Sequence, residues 1–230
     1  MRLRIHDMIQ ELDVIRYNKN GTFERVNQIK GMFDHARSLT SDYKTGKIYW
    51  IDHDHSGEYS IKVTDESFEK SEYVIHPSNQ FMRNLRADPK RRKIFFSSIE
   101  HFWYASNSPN STANLLFSSE VSFQFIIDFT IDYITDKLCW IERLNNDFYL
   151  YCVVIGTLDR PLNTTDIVTI EKFPTYIKTL LAFNNTYYWT TSDNYGYNLY
   201  FKNGNEAAVK KAEYFTFVHY SIVPSVCPRE

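Results

Sequence analysis

Lys47-Ile48-Tyr49-Trp50-Ile51-Asp52 is the stretch that decides the fold, because the chain repeats it. Asp42 stands seven residues before Tyr49, in Leu39-Thr40-Ser41-Asp42-Tyr43-Lys44-Thr45-Gly46. Asp88, in Leu85-Arg86-Ala87-Asp88, precedes Phe95-Phe96-Ser97-Ser98 by the same offset. Asp132, in Phe129-Thr130-Ile131-Asp132, stands likewise before Cys139-Trp140-Ile141-Glu142. A shorter fourth copy, without the Asp, runs from Leu180-Leu181-Ala182-Phe183 to Tyr188-Trp189-Thr190-Thr191. The second aromatics are Trp50, Phe96, Trp140 and Trp189, at spacings of 46, 44 and 49 residues. A period of this size marks an array of supersecondary units, a propeller or a solenoid.

Local chemistry selects between them. Side chains alternate along a strand, so Ile48, Trp50 and Asp52 share one face while Tyr49 and Ile51 share the other. Both faces are apolar, and face-to-face stacked sheets, such as radially packed blades, cover both. Four strands are read in the first full unit, at 37–42, 47–52, 58–63 and 72–76. The strand before each aromatic strand carries small residues (Ala36, Ser38, Thr40, Ala87, Thr130), as inner strands converging on a channel require. A helical repeat would show a sustained 3.6-residue apolar rhythm, which is missing here. The expected fold class is therefore all-β, a propeller.

Tyr49-Trp50-Ile51-Asp52 resembles the YWTD motif of low-density-lipoprotein-receptor class B repeats, and Asp42, Asp88 and Asp132 match that family's Leu-x-x-Asp element. The likeness runs over nearly the whole chain at blade level. The last motif aspartate is kept at Asp52 and becomes Ser98, Glu142 and Thr191 in the other copies. Similar propellers occur in lipoprotein-receptor-related proteins, Sevenless/Ros-type receptor tyrosine kinases, nidogen and epidermal-growth-factor precursors. The resemblance implies six blades and an extracellular or cell-surface ectodomain. It also implies that Asp42, Tyr49, Trp50, Asp52, Asp88, Phe96, Asp132, Trp140 and Trp189 tie blade to blade and form no active site.

The chain supplies about five such units. Ile5-His6-Asp7 lies one repeat before Trp50-Ile51-Asp52, so a degenerate aromatic strand opens the chain with its inner strand missing. The outer hairpin of that unit is 12–17 and 23–26. Three blades follow at about 34–77, 82–120 and 126–172, and the last runs from 176 to about 223, with outer strands at 198–202 and 216–222. This reading makes 1–223 a partial propeller, an open arc or five blades in a strained ring, with an unpaired edge at 3–8. Pro224-Ser225-Val226-Cys227-Pro228, within the tail 224–230, resembles the entry to an epidermal-growth-factor-like module.

Composition narrows the function. Formal net charge is −2, which sets up no steering field for nucleic acid or an anionic membrane, and no apolar run is long enough to span a bilayer. Aromatic residues make up 17% and favour strand. Seven glycines leave the turns to Asn, Asp and Ser. The N-terminus has no apolar signal core, which taken alone argues for the cytosol, against the resemblance. No Gly-x-Ser-x-Gly, phosphate loop or His-Glu-x-x-His is present, so neither a catalytic residue nor a cofactor is nominated.

Among the remaining candidates, Asp52-His53-Asp54-His55 packs four metal-ligand types into one loop, but alternation sends neighbours apart, and a solvated turn is the reading taken. Lys90-Arg91-Arg92-Lys93 lies in a turn; exposed charge is the plain reading and a heparan-like glycan the sharper one. Asn20, Asn110, Asn163 and Asn184 head Asn-x-Ser/Thr sequons, all in expected turns. Cys139 and Cys152 flank Asn145-Asn146-Asp147 symmetrically; a bridge, or two buried thiols, fits. Trp103 and Tyr104 are the nominated binding residues, since these types are enriched at interface centres. The expected function is a non-enzymatic module that binds a protein ligand or a neighbouring domain of the parent chain. The alternatives are a calcium-dependent esterase- or lactonase-like propeller and an inactive degenerate fragment.

Overall fold

A computed structural model of the chain describes residues 2–5, 11–17, 23–33, 35–118, 125–156, 158, 162–193, 196–215 and 219–220. The described chain is a β-propeller. Its first strands are β1 (Arg2–Ile5), β2 (Glu11–Tyr17) and β3 (Phe23–Lys30). Four uninterrupted antiparallel meanders follow. They comprise β4 (Ala36–Ser41), β5 (Ile48–His53), β6 (Tyr59–Thr64) and β7 (Glu72–Ser78), then β8 (Asn84–Asp88), β9 (Lys93–Ser97), β10 (His101–Ser106) and β11 (Asn114–Ser118). The third has β12 (Phe125–Asp132), β13 (Lys137–Leu144), β14 (Asp147–Val154) and β15 (Val168–Phe173). The fourth has β16 (Ile177–Phe183), β17 (Thr186–Asp193), β18 (Gly196–Asn203) and β19 (Val209–Phe215). Last comes β20 (His219–Tyr220), which pairs with β1 in the order β20-β1-β2-β3.

Each blade turns its two strand faces to different neighbours, as the double apolar alternation requires. Tyr49, Ile51, Ile61 and Val63 pack against Leu85, Ala87, Ile94 and Phe96 of the next blade. On that blade's other face, Phe95, Phe102 and Leu116 meet Phe129, Leu138, Trp140 and Val153. Cys139, Ile141, Leu150 and Cys152 in turn meet Leu180, Ala182, Tyr187 and Trp189. Trp50, Phe96, Trp140 and Trp189 hold one register position, opposite Leu39, Leu85, Phe129 and Leu180; the last three aromatics face the preceding blade, and Trp50 packs with Phe33, Leu39 and Ile48. All four are buried, and each such side chain contributes about 1.5–3 kcal/mol by leaving water.

The small polar residues of the inner strands have a second task besides fitting the channel. Ser38 Oγ accepts the Leu85 N–H at 3.0 Å and Thr40 Oγ1 accepts the Ala87 N–H at 3.1 Å. Asp128 Oδ2 accepts the Leu180 N–H at 3.0 Å. These donors lie on the inner edge of a sheet, where no fifth strand exists to take them; the preceding blade satisfies them instead.

Three expectations are corrected. Within the described residues four meander blades form, together with one sheet shared by β1–β3 and β20, not the six blades of the family. The edge at β1 is not unpaired: Arg4 pairs with Tyr220 and Ile5 with His219. The outer strand of the last blade is β19, not 216–222. Its Lys210 and Lys211 are exposed, as suits a solvent-facing edge, whereas the more apolar segment that follows drew the sequence reading. Residues 224–230, with Cys227, lie outside the described residues, as does Asn20.

Candidate functional site

The turns joining each inner strand to its neighbour begin at Asp42, Asp88 and Asp132. Asp42 Oδ1 accepts the N–H groups of Lys44 at 2.9 Å and Thr45 at 3.2 Å. Asp88 Oδ1 does the same for Lys90 at 3.0 Å and Arg91 at 3.2 Å, and Asp132 Oδ1 for Ile134 at 3.1 Å and Thr135 at 3.4 Å. Each carboxylate's remaining capacity goes mainly toward the next blade. Asn107 Nδ2 donates to Asp42 Oδ2 at 3.4 Å. Arg91 bridges Asp88 Oδ2, at 2.7 Å, to Asp136 and to the Gly156 carbonyl at 2.9 Å. Asp132 accepts the N–H groups of Asn184 at 3.0 Å and Asn185 at 2.8 Å.

Burial opposes ionisation of Asp132, but the Thr135 hydroxyl and the N–H groups of Asn185, Asn184 and Ile134 outweigh it and hold the carboxyl below its usual range. Asp136 follows the same pattern: partial burial raises, while Arg91 and Lys90 lower and prevail. Tyr49 adds a further tie through its hydroxyl, which donates to the Asn107 carbonyl at 3.2 Å, and burial beside Asp42 pushes its pKa up. Tyr133 donates to the Ala87 carbonyl at 2.5 Å.

The last motif position does different work in each blade. Glu142 Oε2 accepts the Trp140 Nε1–H at 3.1 Å. Asp52, one methylene shorter, instead pairs with Lys62 at 2.5 Å, and the buried Trp50 Nε1 has no hydrogen-bond partner among the described residues. Closer to the axis, Arg86 Nη2 reaches Asp128 Oδ1 at 2.9 Å and its guanidinium lies 5.4 Å from the Phe129 ring centre. Arg86 and Asp128 thus link three successive inner strands, a tie the sequence reading missed because its members fall outside the repeated motif.

The remaining candidates sort by position. Trp103 and Tyr104 lie on β10, half-buried on opposite faces, so they form no common patch. Trp103 packs against the core shared with the preceding blade, and Tyr104 against the next, with its hydroxyl 3.4 Å from the Leu158 carbonyl. Exposed apolar side chains at the end of the propeller opposite the Asp turns are Ile99, Phe125 and Tyr176, and the Ile126 N–H bonds the Ile99 carbonyl at 3.0 Å, bringing the first two together.

The four side chains of Asp52-His53-Asp54-His55 go four ways: to Lys62; to Arg37 and the Tyr59 ring; to Ser56 and Glu58; and edge-on to His35. Of the basic run, Arg91 and Lys90 engage acidic partners, Lys93 stands 5.8 Å from the Tyr104 ring centre, and Arg92 is exposed. Asn110, Asn163 and Asn184 are exposed at turns on the Asp-turn end. Cys139 and Cys152 stand opposite each other across the two-residue Asn145-Asn146 turn, joined by a disulfide, with Cα atoms 4.1 Å apart.

No family model and no curated protein matches the sequence. Solved structures are similar in fold. The nidogen/laminin complex aligns at 12% identity over 88% of this chain and 88% of that one, with a TM-score of 0.48. TolB from Acinetobacter baumannii aligns at 12% identity over 85% of this chain and 49% of its own, TM-score 0.58. The GH74 enzyme of Niastella koreensis aligns at 13% over 90% of this chain and 36% of its own, TM-score 0.60. The chain thus spans about half the length of TolB and a third of the GH74 enzyme. The likenesses to TolB and to the GH74 enzyme accord with the propeller fold.

Proposed function

We infer that this chain is a YWTD-type propeller that acts as a binding module, holding a protein ligand or a neighbouring domain of its parent chain, outside the cell or on its surface. The observation that carries the reading is the use made of the repeated polar groups. Asp42, Asp88 and Asp132 are committed to turn N–H groups and to the adjoining blade. Side chains so committed build a rigid frame and leave recognition to the loops. The disulfide supports an oxidising compartment, and there Asn110, Asn163 and Asn184 are accessible acceptors for glycans.

The docking surface is the end carrying Ile99, Phe125 and Tyr176, which replaces Trp103 and Tyr104 as the nominated patch. The test is binding of the disulfide-intact chain to a panel of extracellular-matrix and cell-surface ectodomains. Ile99→Asp and Phe125→Asp are expected to abolish the interaction without shifting the melting midpoint. Turnover in a calcium-supplemented ester and lactone screen, lost on chelation, would establish the hydrolase reading instead.

A further inference from the structure

We propose that the recess between the first two meander blades, on the Asp-turn end, binds a sulfated linear polysaccharide. The recess has a volume of about 340 Å³ and lies between turns 42–47 and 89–92, with Asn107 and Ser108 behind them. Lys44, Lys47 and Arg92 line it, and none of the three has an ion-pair or hydrogen-bond partner for its side-chain cation among the described residues. Thr45, Asn107 and Ser108 add hydroxyl and amide groups. The buried carboxylate in the lining, Asp42, is already engaged by two turn N–H groups and by Asn107. What remains available is donor-rich, which suits an anionic ligand.

The back wall is preorganised. The Asn107 N–H donates to the Arg92 carbonyl at 3.1 Å, its side chain to Asp42 and its carbonyl accepts from Tyr49. The cationic turn is therefore fixed to both blades before any ligand arrives.

Arg92 supplies an independent pointer. It sits four residues after Asp88, as Gly46 follows Asp42 and Asp136 follows Asp132. All three positions are left-handed, with φ of +54°, +72° and +61° respectively. Gly and Asp suit that conformation; an arginine adopts it at a cost. At Gly46 the left-handed backbone is what favours glycine, since the nearest obstacle to a Cβ is the movable, exposed Glu66 side chain. A residue that local folding disfavours, with its cation turned to a recess holding two more, is explained by binding.

The ligand class follows from the lining. No aromatic ring lines the recess to stack a base, as single-stranded nucleic acid would need, and its lining holds no large apolar side chain to enter a bilayer; the exposed Ile134 and Val154 of the same end belong to the following blade. Cations spread over two turns match repeated sulfates along a chain. Lys47 shares its register with Lys93 and Lys137 on the following blades, but those cations are taken up by the Tyr104 ring and by Asn185 Oδ1, so it is at the recess that lysine and arginine cations stay available together. Asn110 points away toward His76, 2.7 Å from its Nε2.

The experiment is calorimetric titration of the disulfide-intact chain, made without N-glycans, with a heparin-derived hexasaccharide. Binding is expected, weakening as sodium chloride rises. Arg92→Gly should lower affinity severalfold while leaving the melting midpoint equal or higher. Lys44→Ser, Lys47→Ser and Arg92→Gly together should lower it about tenfold or more. Glu66→Gln, which removes a carboxylate beside turn 42–47, should tighten it. A triple variant at Lys70, Lys172 and Lys211, equal in charge lost, should bind as the parent does.

Absence of binding by the parent chain would overturn the proposal, as would equal losses in the two triple variants. Equal affinity for a fully desulfated hexasaccharide would do so too. Tighter binding to phosphatidylserine vesicles that depends on Lys44, Lys47 and Arg92 would move the site to a membrane surface and overturn the polysaccharide assignment.

Discussion

Asp132→Ala and Asp42→Ala remove the same motif residue from two blades, and the structure predicts unequal costs. Asp132 accepts two N–H groups and the Thr135 hydroxyl in its own turn, the hydroxyl at 2.6 Å, and two further N–H groups from the next blade at 3.0 and 2.8 Å. Hydrogen bonds to a charged acceptor contribute about 1.5–3 kcal/mol each. Water at the half-exposed Asn185 turn recovers part of the two cross-blade bonds, so the net loss is about 3–4 kcal/mol. Asp42 makes two turn bonds and one long cross-blade contact at 3.4 Å. Its turn borders the open recess, so Asp42→Ala should cost about 1 kcal/mol, in the range of a lost helix N-cap.

Urea unfolding followed by tryptophan fluorescence separates the two. The midpoint should fall at least twice as far for Asp132→Ala as for Asp42→Ala, with the slope unchanged in both. Asp132→Asn, which keeps an acceptor and loses the charge, should fall between them. Equal shifts for the two alanine variants would refute the assignment of Asp132 as the stronger tie between blades.

Acid should destabilise the parent more than Asp132→Asn. A depressed folded-state pKa gives stability that is present above the unfolded value and lost as pH falls through the folded one, so the parent's stability-against-pH curve should have the steeper limb below about pH 4. Trp140→Ala, which removes a fully buried ring packed on Phe102 and Tyr151, should cost about 3–5 kcal/mol by urea unfolding. Glu142→Ala should cost about 1–3 kcal/mol by orphaning the Trp140 Nε1–H, and Glu142→Gln much less. Cys139 and Cys152 should resist thiol labelling in denaturant until reduced. Reduction should lower stability by about 3 kcal/mol for a bridge closing a loop of 13 residues.

What the sequence determined by itself was whatever repeats. Period, strand order within each blade and the buried register of Trp50, Phe96, Trp140 and Trp189 follow from alternation and spacing, because those are local properties of each unit summed along the chain. The facing of Cys139 and Cys152 was legible for the same reason, a two-residue turn fixing the register of its hairpin. Tertiary structure decided everything that depends on which unit meets which. The pairing of β20 with β1 joins residues more than two hundred apart in sequence, and no local pattern encodes it. Trp103 and Tyr104 read as a surface pair because adjacent aromatics look like one patch; strand alternation between two neighbouring blades sends them to different interfaces. The recess at Lys44, Lys47 and Arg92 is assembled from turns 46 residues apart, and the sequence showed only the basic run at 90–93. Which of those cations remained available was settled by Asp136 and Asp88, whose carboxylates hold Arg91, while Arg92 has no ion-pair partner among the described residues.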